Sequence, residues 1–116
     1  MGDYRGIDFY DIDDLLTEDQ RMVRDTLRDF VSAEVVPIIA ECARKGVFPE
    51  ELIPKLAELN VFGPSLPEEY GCAGLDSTCY GLICQELERG DSAIRSFVSV
   101  HSSLAMFGIF RFGTEE

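Results

Sequence analysis

The chain has 116 residues, enough for a single domain with one hydrophobic core. Its 22 acidic residues outnumber its 10 basic residues and give a net charge of −12, which argues against a nucleic-acid partner or an anionic membrane surface. No signal peptide is visible, and no apolar run approaches the roughly 20 residues of a membrane span. The sequence therefore predicts no nucleic-acid partner and no membrane span, but a small anionic ligand remains compatible with the charge, because a buried arginine acts at short range.

The four cysteines and the single histidine show no metal-binding pattern. None of the cysteines is spaced as CxxC, so a zinc site is not predicted, and we interpret them as reduced thiols of a reducing compartment. His101 stands among apolar residues without a partnering base or metal ligand, so we expect a core residue. The cysteines are Cys42, Cys72, Cys79 and Cys84.

The N-terminal third predicts an arm followed by a long helix. Residues 1–14 mix aromatic and acidic side chains without a period, and we expect an extended arm that lies on a larger body. Thr17 and Gln20 form a capping box that starts the first helix. Pro37 is expected to kink or end that helix, because it lacks a backbone donor and clashes with the preceding turn. The apolar face has helical spacing and consists of Val23, Leu27, Phe30, Val31 and Val35.

The middle of the chain predicts two short helices. A helical stretch over residues 38–44 ends at Gly46, which is a common C-terminal cap. The next helical segment begins near Pro49 with one turn, and we expect it to restart at Pro54. Asn60 tolerates the left-handed conformation that ends a helix, so we place the end of this segment there.

Residues 61–74 are too rich in proline and glycine for a regular element, with two and three of them respectively. We expect the aromatic rings of Phe62 and Tyr70 to pin this loop to the core. The loop contains no GxGxxG or GKT/GKS motif and follows no strand, so it does not resemble a phosphate-binding loop.

Two apolar helices separated by Gly90 complete the chain. Asp76 or Ser77 is expected to cap the first, and Asp91 or Ser92 the second. The second helix is apolar on nearly every side, so it requires covering on every side. We therefore expect a piece of a larger protein, with an all-α fold in which four to five helices form an irregular bundle.

Arg95 is the most informative charged residue. It lies in the first turn of the last helix, where the helix dipole disfavours a cation, and its neighbours are apolar. Glu88 across the hinge is its expected partner. Ser99 lies on the same helical face as Arg95. The planar guanidinium of Arg95 and the hydroxyl groups of Ser96 and Ser99 together offer hydrogen-bond donors that suit a carboxylate. A purely structural Glu88–Arg95 ion pair is the alternative, and the residues alone leave both interpretations open.

Several short motifs, in this order, resemble the N-terminal helical domain of acyl-CoA dehydrogenases. The resemblance covers residues 11–116, and we place the domain at residues 15–116. The segment from Arg95 to Leu104 is most similar to the glutaryl-CoA dehydrogenase branch. The motifs are Phe62-Gly63, the loop Pro67-Glu68-Glu69-Tyr70-Gly71 ending at Gly74, Glu86-Leu87-Glu88-Arg89 with Asp91-Ser92, and Phe112-Gly113-Thr114-Glu115-Glu116.

The resemblance implies a considerably longer flavoprotein. In this family an N-terminal helical domain, a middle β-domain and a C-terminal helical bundle enclose FAD and the acyl-CoA thioester. A glutamate of the C-terminal bundle removes the α-proton, the β-hydride passes to the flavin, and in the glutaryl branch the product loses CO₂. The resemblance also implies an electron-transfer flavoprotein as acceptor, a homotetramer, and a location in the bacterial cytoplasm or the mitochondrial matrix.

Roles for individual residues follow from the same resemblance. Arg95 and Ser99 are expected to hold the distal carboxylate of the substrate, while Glu88 pairs with Arg95. Ser96 is expected to lie beside the acyl chain. Two further residues are expected to line the acyl pocket, namely Phe97 and Val100.

The chain departs from the family pattern in two respects. Cys72 follows Gly71 where the family usually has a second glycine. The 116 residues match only the N-terminal domain of the family, so we expect this segment to carry no base for α-proton abstraction and no flavin site of its own, and to be inert alone. Two alternatives stay open: a short-chain acyl-CoA dehydrogenase with a structural Arg95, and a stand-alone helical interaction module.

Overall fold

The computed structural model describes residues 6–116, and within this range it contains helices and loops but no strand. A π-helical segment, Val31–Val35, joins the first two α-helices, and a second, Val100–Met106, joins the last two. Two 3₁₀ turns, Ile12–Leu15 and Glu68–Tyr70, complete the helical structure. The expected all-α irregular bundle is confirmed. The α-helices are α1 (Glu18–Phe30), α2 (Val36–Lys45), α3 (Leu52–Glu58), α4 (Ser77–Gly90), α5 (Ser92–Ser99) and α6 (Phe107–Phe112).

The helix ends lie at the predicted cap residues. The Thr17 hydroxyl accepts a hydrogen bond from the Gln20 amide, and the Gln20 side chain accepts one from the Thr17 amide, so the capping box is confirmed. Asp76 caps α4, and Asp91 accepts hydrogen bonds from two amides in the first turn of α5. Gly46 ends α2 with φ of 65°. These caps satisfy amides and carbonyls that a helix leaves unpaired at its ends.

The two prolines within helical segments lie in first turns. Pro37 follows the first residue of α2, and the interruption expected there takes the form of the π-helical segment that precedes it. Pro54 lies in the first turn of α3, so the helix begins two residues before the expected restart. Pro49 starts a hydrogen-bonded turn and no helical turn of its own. A proline is tolerated in a first turn because its missing amide would have no partner there.

The core lies where α1, the first π-helical segment, α3, α4 and α5 meet. Gly90 permits this packing, because a Cβ added there would lie 2.7 Å from Cγ1 of Val31 and 3.0 Å from Cγ1 of Val35. The glycine therefore ends α4 and also lets it approach the π-helical segment. The core side chains are Leu27, Val31, Val35, Leu52, Leu56, Val61, Ile83, Leu87, Ile94 and Val98.

The expected N-terminal arm is only in part extended. Residues 1–5 lie outside the described residues. The following segment is exposed, and it folds into the 3₁₀ turn Ile12–Leu15. Arg24 of α1 forms an ion pair with Asp13 and lowers the pKa of that carboxyl group. This contact ties the turn to the surface of α1.

The continuous helix from Ser92 to Phe112 leaves much of its apolar surface uncovered, as predicted. It has 21 residues, and an 18-residue window has a mean hydropathy of 1.3 with 17% of its residues buried. By length and composition this helix is able to cross a membrane, so the expectation that no segment reaches that length is wrong on this criterion. The expectation considered an uninterrupted apolar run, whereas the mean hydropathy of the window stays high although serines and a histidine interrupt that run. The exposed large apolar side chains of this helix are Phe97, Val100, Leu104, Phe107, Ile109, Phe110 and Phe112.

Two expectations for single aromatic residues are wrong. His101 is exposed, because the helix turns its neighbour Ser102 into the core and successive side chains point about 100° apart. Its ring lies edge-on to Phe62, with centroids 5.0 Å apart. Tyr70 is 50% exposed, because it packs on Phe110 of the uncovered helix and donates a hydrogen bond to Glu115. Phe62 does pack against the core, as expected.

Candidate functional site

Arg95 lies at the seam between α4 and α5 with its two predicted partners. Its Nε donates a hydrogen bond to Oε2 of Glu88 at 2.7 Å, and its Nη1 donates to Oγ of Ser99 at 3.3 Å. Oγ of Ser99 in turn donates to the carbonyl oxygen of Ser96 at 3.3 Å. The structure therefore brings the side chains of Arg95, Glu88 and Ser99 together, whereas Ser96 contributes its backbone carbonyl oxygen. The guanidinium lies at the seam, as the sequence predicted.

The guanidinium of Arg95 keeps unused hydrogen-bonding capacity. A guanidinium has five N–H donors, and two of those of Arg95 are engaged by Glu88 and Ser99. Within residues 6–116 its Nη2 donates no hydrogen bond. The side chain is 35% exposed, so the unused edge is accessible. A carboxylate matches this edge in shape and charge.

Glu88 is ionised in this arrangement. Hydrogen bonds from the Ser92 hydroxyl and from Arg95 lower the pKa of the Glu88 carboxyl group. The same contact with Glu88 raises the pKa of Arg95, so both charges persist across the physiological range. The carboxylate fixes the direction of the guanidinium but occupies only its Nε side.

The remaining predicted residues are distributed around the helix. Ser96 is half-buried, and Val100 is 52% exposed on the open side of the helix. Phe97 lies in an aromatic cluster, with its ring centroid 5.1 Å from that of Phe48 and 5.9 Å from that of Phe62. The structure thus places Ser96 and Val100 beside the open face, and Phe97 on the aromatic cluster.

Sequence reasoning missed three neighbours of this site. Tyr80 and Cys84 lie eight and four residues before Glu88, respectively, so they share its face of α4. Burial raises the pKa of the Tyr80 hydroxyl and of the Cys84 thiol, and both groups are close enough to Arg95 to feel its charge. The third is Ser92, which donates to Glu88. The four-residue spacing of these side chains was the available signal.

The comparisons with known proteins identify the family of the chain. Residues 17–116 match the family model of the acyl-CoA dehydrogenase N-terminal domain.

The chain belongs to the acyl-CoA dehydrogenase family.

The domain is similar to both substrate branches considered above. The crystal structure of glutaryl-CoA dehydrogenase from Mycobacterium smegmatis in complex with FADH2 matches with 44% identity and a TM-score of 0.88, over 91% of this chain and 27% of that one. A chain of the electron transferring flavoprotein structure of Acidaminococcus fermentans matches with 35% identity and a TM-score of 0.82, over 94% and 27%. The mitochondrial short-chain specific acyl-CoA dehydrogenase of Rattus norvegicus is 36% identical over 87% of this chain and 24% of its own length. This acyl-CoA dehydrogenase domain therefore spans about a quarter of the length of its relatives.

A second acid–arginine cluster lies on the opposite side of α4 in this acyl-CoA dehydrogenase domain. Glu86 is only 1% exposed, and its oxygens accept hydrogen bonds from Nη2 of Arg28 at 2.7 Å and from Nε of Arg89 at 3.0 Å. Nη2 of Arg89 also donates to the carbonyl oxygen of Arg28 and to Ser32. Burial alone would raise the pKa of Glu86, but the two arginines outweigh it and lower the pKa. The cluster joins α1 to α4.

A cavity of about 230 Å³ lies beside α6. Its walls are mainly apolar, and its one charged side chain is the acidic Glu115, which Tyr70 contacts. No basic side chain lines it. The lining residues are Leu66, Tyr70, Cys72, Met106, Ile109, Phe110, Gly113, Thr114 and Glu115.

Proposed function

We propose that the chain is the N-terminal helical domain of a FAD-dependent acyl-CoA dehydrogenase and forms one wall of the acyl pocket. We further propose that the complete enzyme, in which middle and C-terminal domains follow this one, oxidises glutaryl-CoA at the α and β carbons and decarboxylates it to crotonyl-CoA. The similarity to the Mycobacterium smegmatis enzyme supports this proposal. The single observation that carries the substrate assignment is the unused edge of Arg95 beside Ser99.

The residues of this domain supply binding and orientation. Because Glu88 occupies the Nε side of Arg95, an incoming carboxylate meets the Nη1 and Nη2 edge, where it is able to accept two parallel hydrogen bonds. Ser99 lies next to that edge. Ser96 and Val100 follow along the open face, where the acyl chain would run toward the thioester. The domain thereby holds the distal carboxylate and aligns the acyl chain.

The described residues do not by themselves fit the flavin. The cavity beside α6 presents an acidic Glu115 and no basic side chain, whereas a diphosphate group requires cationic or amide donors. We therefore assign FAD to the complete enzyme, held mainly by the domains that follow, and derive no step through it. We also infer that the isolated domain is inert, because the glutamate that would remove the α-proton belongs to the C-terminal bundle.

The assembly and location of the complete enzyme are part of the proposal. We infer an electron-transfer flavoprotein as its electron acceptor, which the similarity to a chain of the Acidaminococcus fermentans structure supports. We infer a homotetramer in the bacterial cytoplasm or the mitochondrial matrix, and relatives from bacteria and mitochondria support these two locations. We interpret the apolar helix from Ser92 to Phe112 as a core helix that the other domains cover, because it lies within the segment that matches the family model.

The substrate assignment is tested with Arg95→Ala in the complete enzyme. The variant loses a charge-assisted contact with the distal carboxylate, so we expect kcat/KM for glutaryl-CoA to fall by roughly 10- to 100-fold. The kcat/KM for butyryl-CoA, which has no distal carboxylate, is expected to change little. Steady-state dye reduction with both substrates measures the ratio. Arg44→Ala is the matched control, because Arg44 forms an exposed ion pair with Glu41 on α2.

Two outcomes overturn the proposal at different levels. An equal loss of activity with both substrates means that Arg95 is structural, which favours a short-chain enzyme like the relative from Rattus norvegicus. The ion pair with Glu88 is the observation in favour of that second candidate. A gene that stops after Glu116, with no strand-rich segment or second helical bundle, supports a helical interaction module.

A further inference from the structure

We propose that Ser92 is a positioning residue, which fixes the carboxylate of Glu88 and through it orients Arg95 to receive the substrate's distal carboxylate. The inference deepens the proposed function and rests on the role of Arg95 stated above. The predicted site does not include Ser92, and the family resemblance, whose motifs contain this serine, assigns it no role.

Each of the two carboxylate oxygens of Glu88 accepts a hydrogen bond from a different donor. Ser92 Oγ donates to Oε1 at 2.5 Å, and Arg95 Nε donates to Oε2 at 2.7 Å. The Glu88 side chain is 46% exposed, so packing alone does not restrain it. A glutamate side chain loses substantial rotamer freedom when it is fixed, and the second donor lowers the cost of presenting the carboxylate to Arg95. The direction of the guanidinium therefore depends on Ser92.

The hydroxyl of Ser92 is not needed to begin α5. Asp91 is the N-cap, and its carboxylate accepts hydrogen bonds from the amides of Ala93 and Ile94. Within residues 6–116 the Ser92 hydroxyl makes one hydrogen bond, to Glu88. Alanine also has a higher helix propensity than serine. Ser92→Ala should thus leave the helix intact while it removes the donor to Glu88.

Electrostatics at the seam point in the same direction. The hydrogen bond from Ser92 contributes most to lowering the pKa of Glu88, and Arg95 contributes next. The other titratable groups on this seam are Tyr80 and Cys84 of α4, which stay neutral at physiological pH because burial raises the pKa of both. Removing the Ser92 hydroxyl destabilises the ionised form of Glu88, so its pKa rises toward the ordinary range.

The first experiment uses the 116-residue chain and does not depend on activity. NMR of the chain with ¹³C-labelled glutamate carboxyl groups follows the titration of Glu88, and the Arg95 Nε–H signal reports its hydrogen bond. In Ser92→Ala we expect a higher midpoint for Glu88 and faster exchange of the Arg95 Nε–H, while Ser92→Thr, which keeps the hydroxyl, resembles the parent. Thr26→Ala is the control, because that hydroxyl bonds only within α1. An unchanged midpoint and unchanged exchange in Ser92→Ala overturn the inference.

The second experiment measures selectivity in the complete enzyme. We expect Ser92→Ala to raise KM for glutaryl-CoA by about 3- to 10-fold, with the constants for butyryl-CoA unchanged and Ser92→Thr close to the parent. If Arg95→Ala is selective for glutaryl-CoA and Ser92→Ala is not, the positioning role fails and the proposed function stands. If Arg95→Ala lowers both activities equally, the proposed function itself fails.

Discussion

Glu86 and Glu88 lie two residues apart on α4 and hold arginines in opposite ways. Glu86 is 1% exposed, and its partners Arg28 and Arg89 close around it between α1 and α4. The side chain of Glu88 is 46% exposed, and its partner Arg95 keeps an unused edge. Side chains two positions apart on an α-helix point about 200° apart. The carboxylate of Glu86 therefore faces the core, and that of Glu88 faces the seam with α5.

The comparison separates stabilisation from binding. In the cluster around Glu86, Arg89 also donates to the carbonyl oxygen of Arg28 and to Ser32, so three of its five donors are engaged within the fold. A buried cluster such as that of Glu86 contributes to stability only while every partner is present, because a buried carboxylate that loses an arginine partner is costly in free energy. An open pair contributes little to stability, since water and salt screen it, but it can accept a ligand.

The largest expected effect tests this division with two arginine variants. Arg28→Ala leaves the buried carboxylate of Glu86 with Arg89 alone, and we expect the free energy of unfolding to fall by about 2 kcal/mol, below the usual cost because the Arg28 side chain is 42% exposed. Arg95→Ala should change the free energy of unfolding little. Urea denaturation of the chain, followed by circular dichroism, measures both. Equal losses in the two variants would mean that the seam pair is as structural as the buried cluster.

A smaller effect is expected at two glycines of α4, the helix that carries both carboxylates. A methyl group at Gly90 would collide with Val31 and Val35, so Gly90→Ala should lower the free energy of unfolding by about 1 kcal/mol after the gain in helix propensity is subtracted. Gly81 has open space around its Cβ position, and Gly81→Ala should raise stability by about 0.5–1 kcal/mol. A thermal melt of both variants checks the opposite signs, and a stabilised Gly90→Ala would refute the packing role.

The smallest effect is confined to acid pH. The folded pKa of Glu86 is lowered, so its contribution to stability is present above the unfolded value of about 4.3 and is lost as the pH falls toward the lower folded value. Glu86→Gln cannot titrate, so its stability should fall less steeply than the parent's between roughly pH 5 and pH 3. Urea midpoints across this range measure the slopes, and parallel slopes would contradict the assignment. Glu88→Gln is the matched exposed control.

Local features of the fold were predictable from the sequence. Thr17 and Gln20 form their capping box, and Asp76 and Asp91 cap the last two long helices, because a cap is formed by residues within one turn of each other. The pairing of Glu88 with Arg95 was predictable for a related reason, since seven residues and one hinge separate them.

Features that depend on distant contacts were not predictable. Glu86 reads as one more charged residue near a helix end, and only the packing of α1 on α4 brings Arg28, 58 residues away, to its carboxylate. His101 was expected in the core because its neighbours are apolar, and the orientation of α5 turned it outward.

The sequence by itself determined the helices, their caps and the charged pair at the seam, because each depends on neighbours along the chain. The tertiary structure alone decided that the carboxylate of Glu86 is buried between two arginines and that the carboxylate of Glu88 stays exposed. It also decided that the Ser92 hydroxyl donates a hydrogen bond to Glu88, whereas Asp91 caps α5. Burial is a property of the whole packing arrangement, and no local pattern specifies which side of α4 the first helix covers.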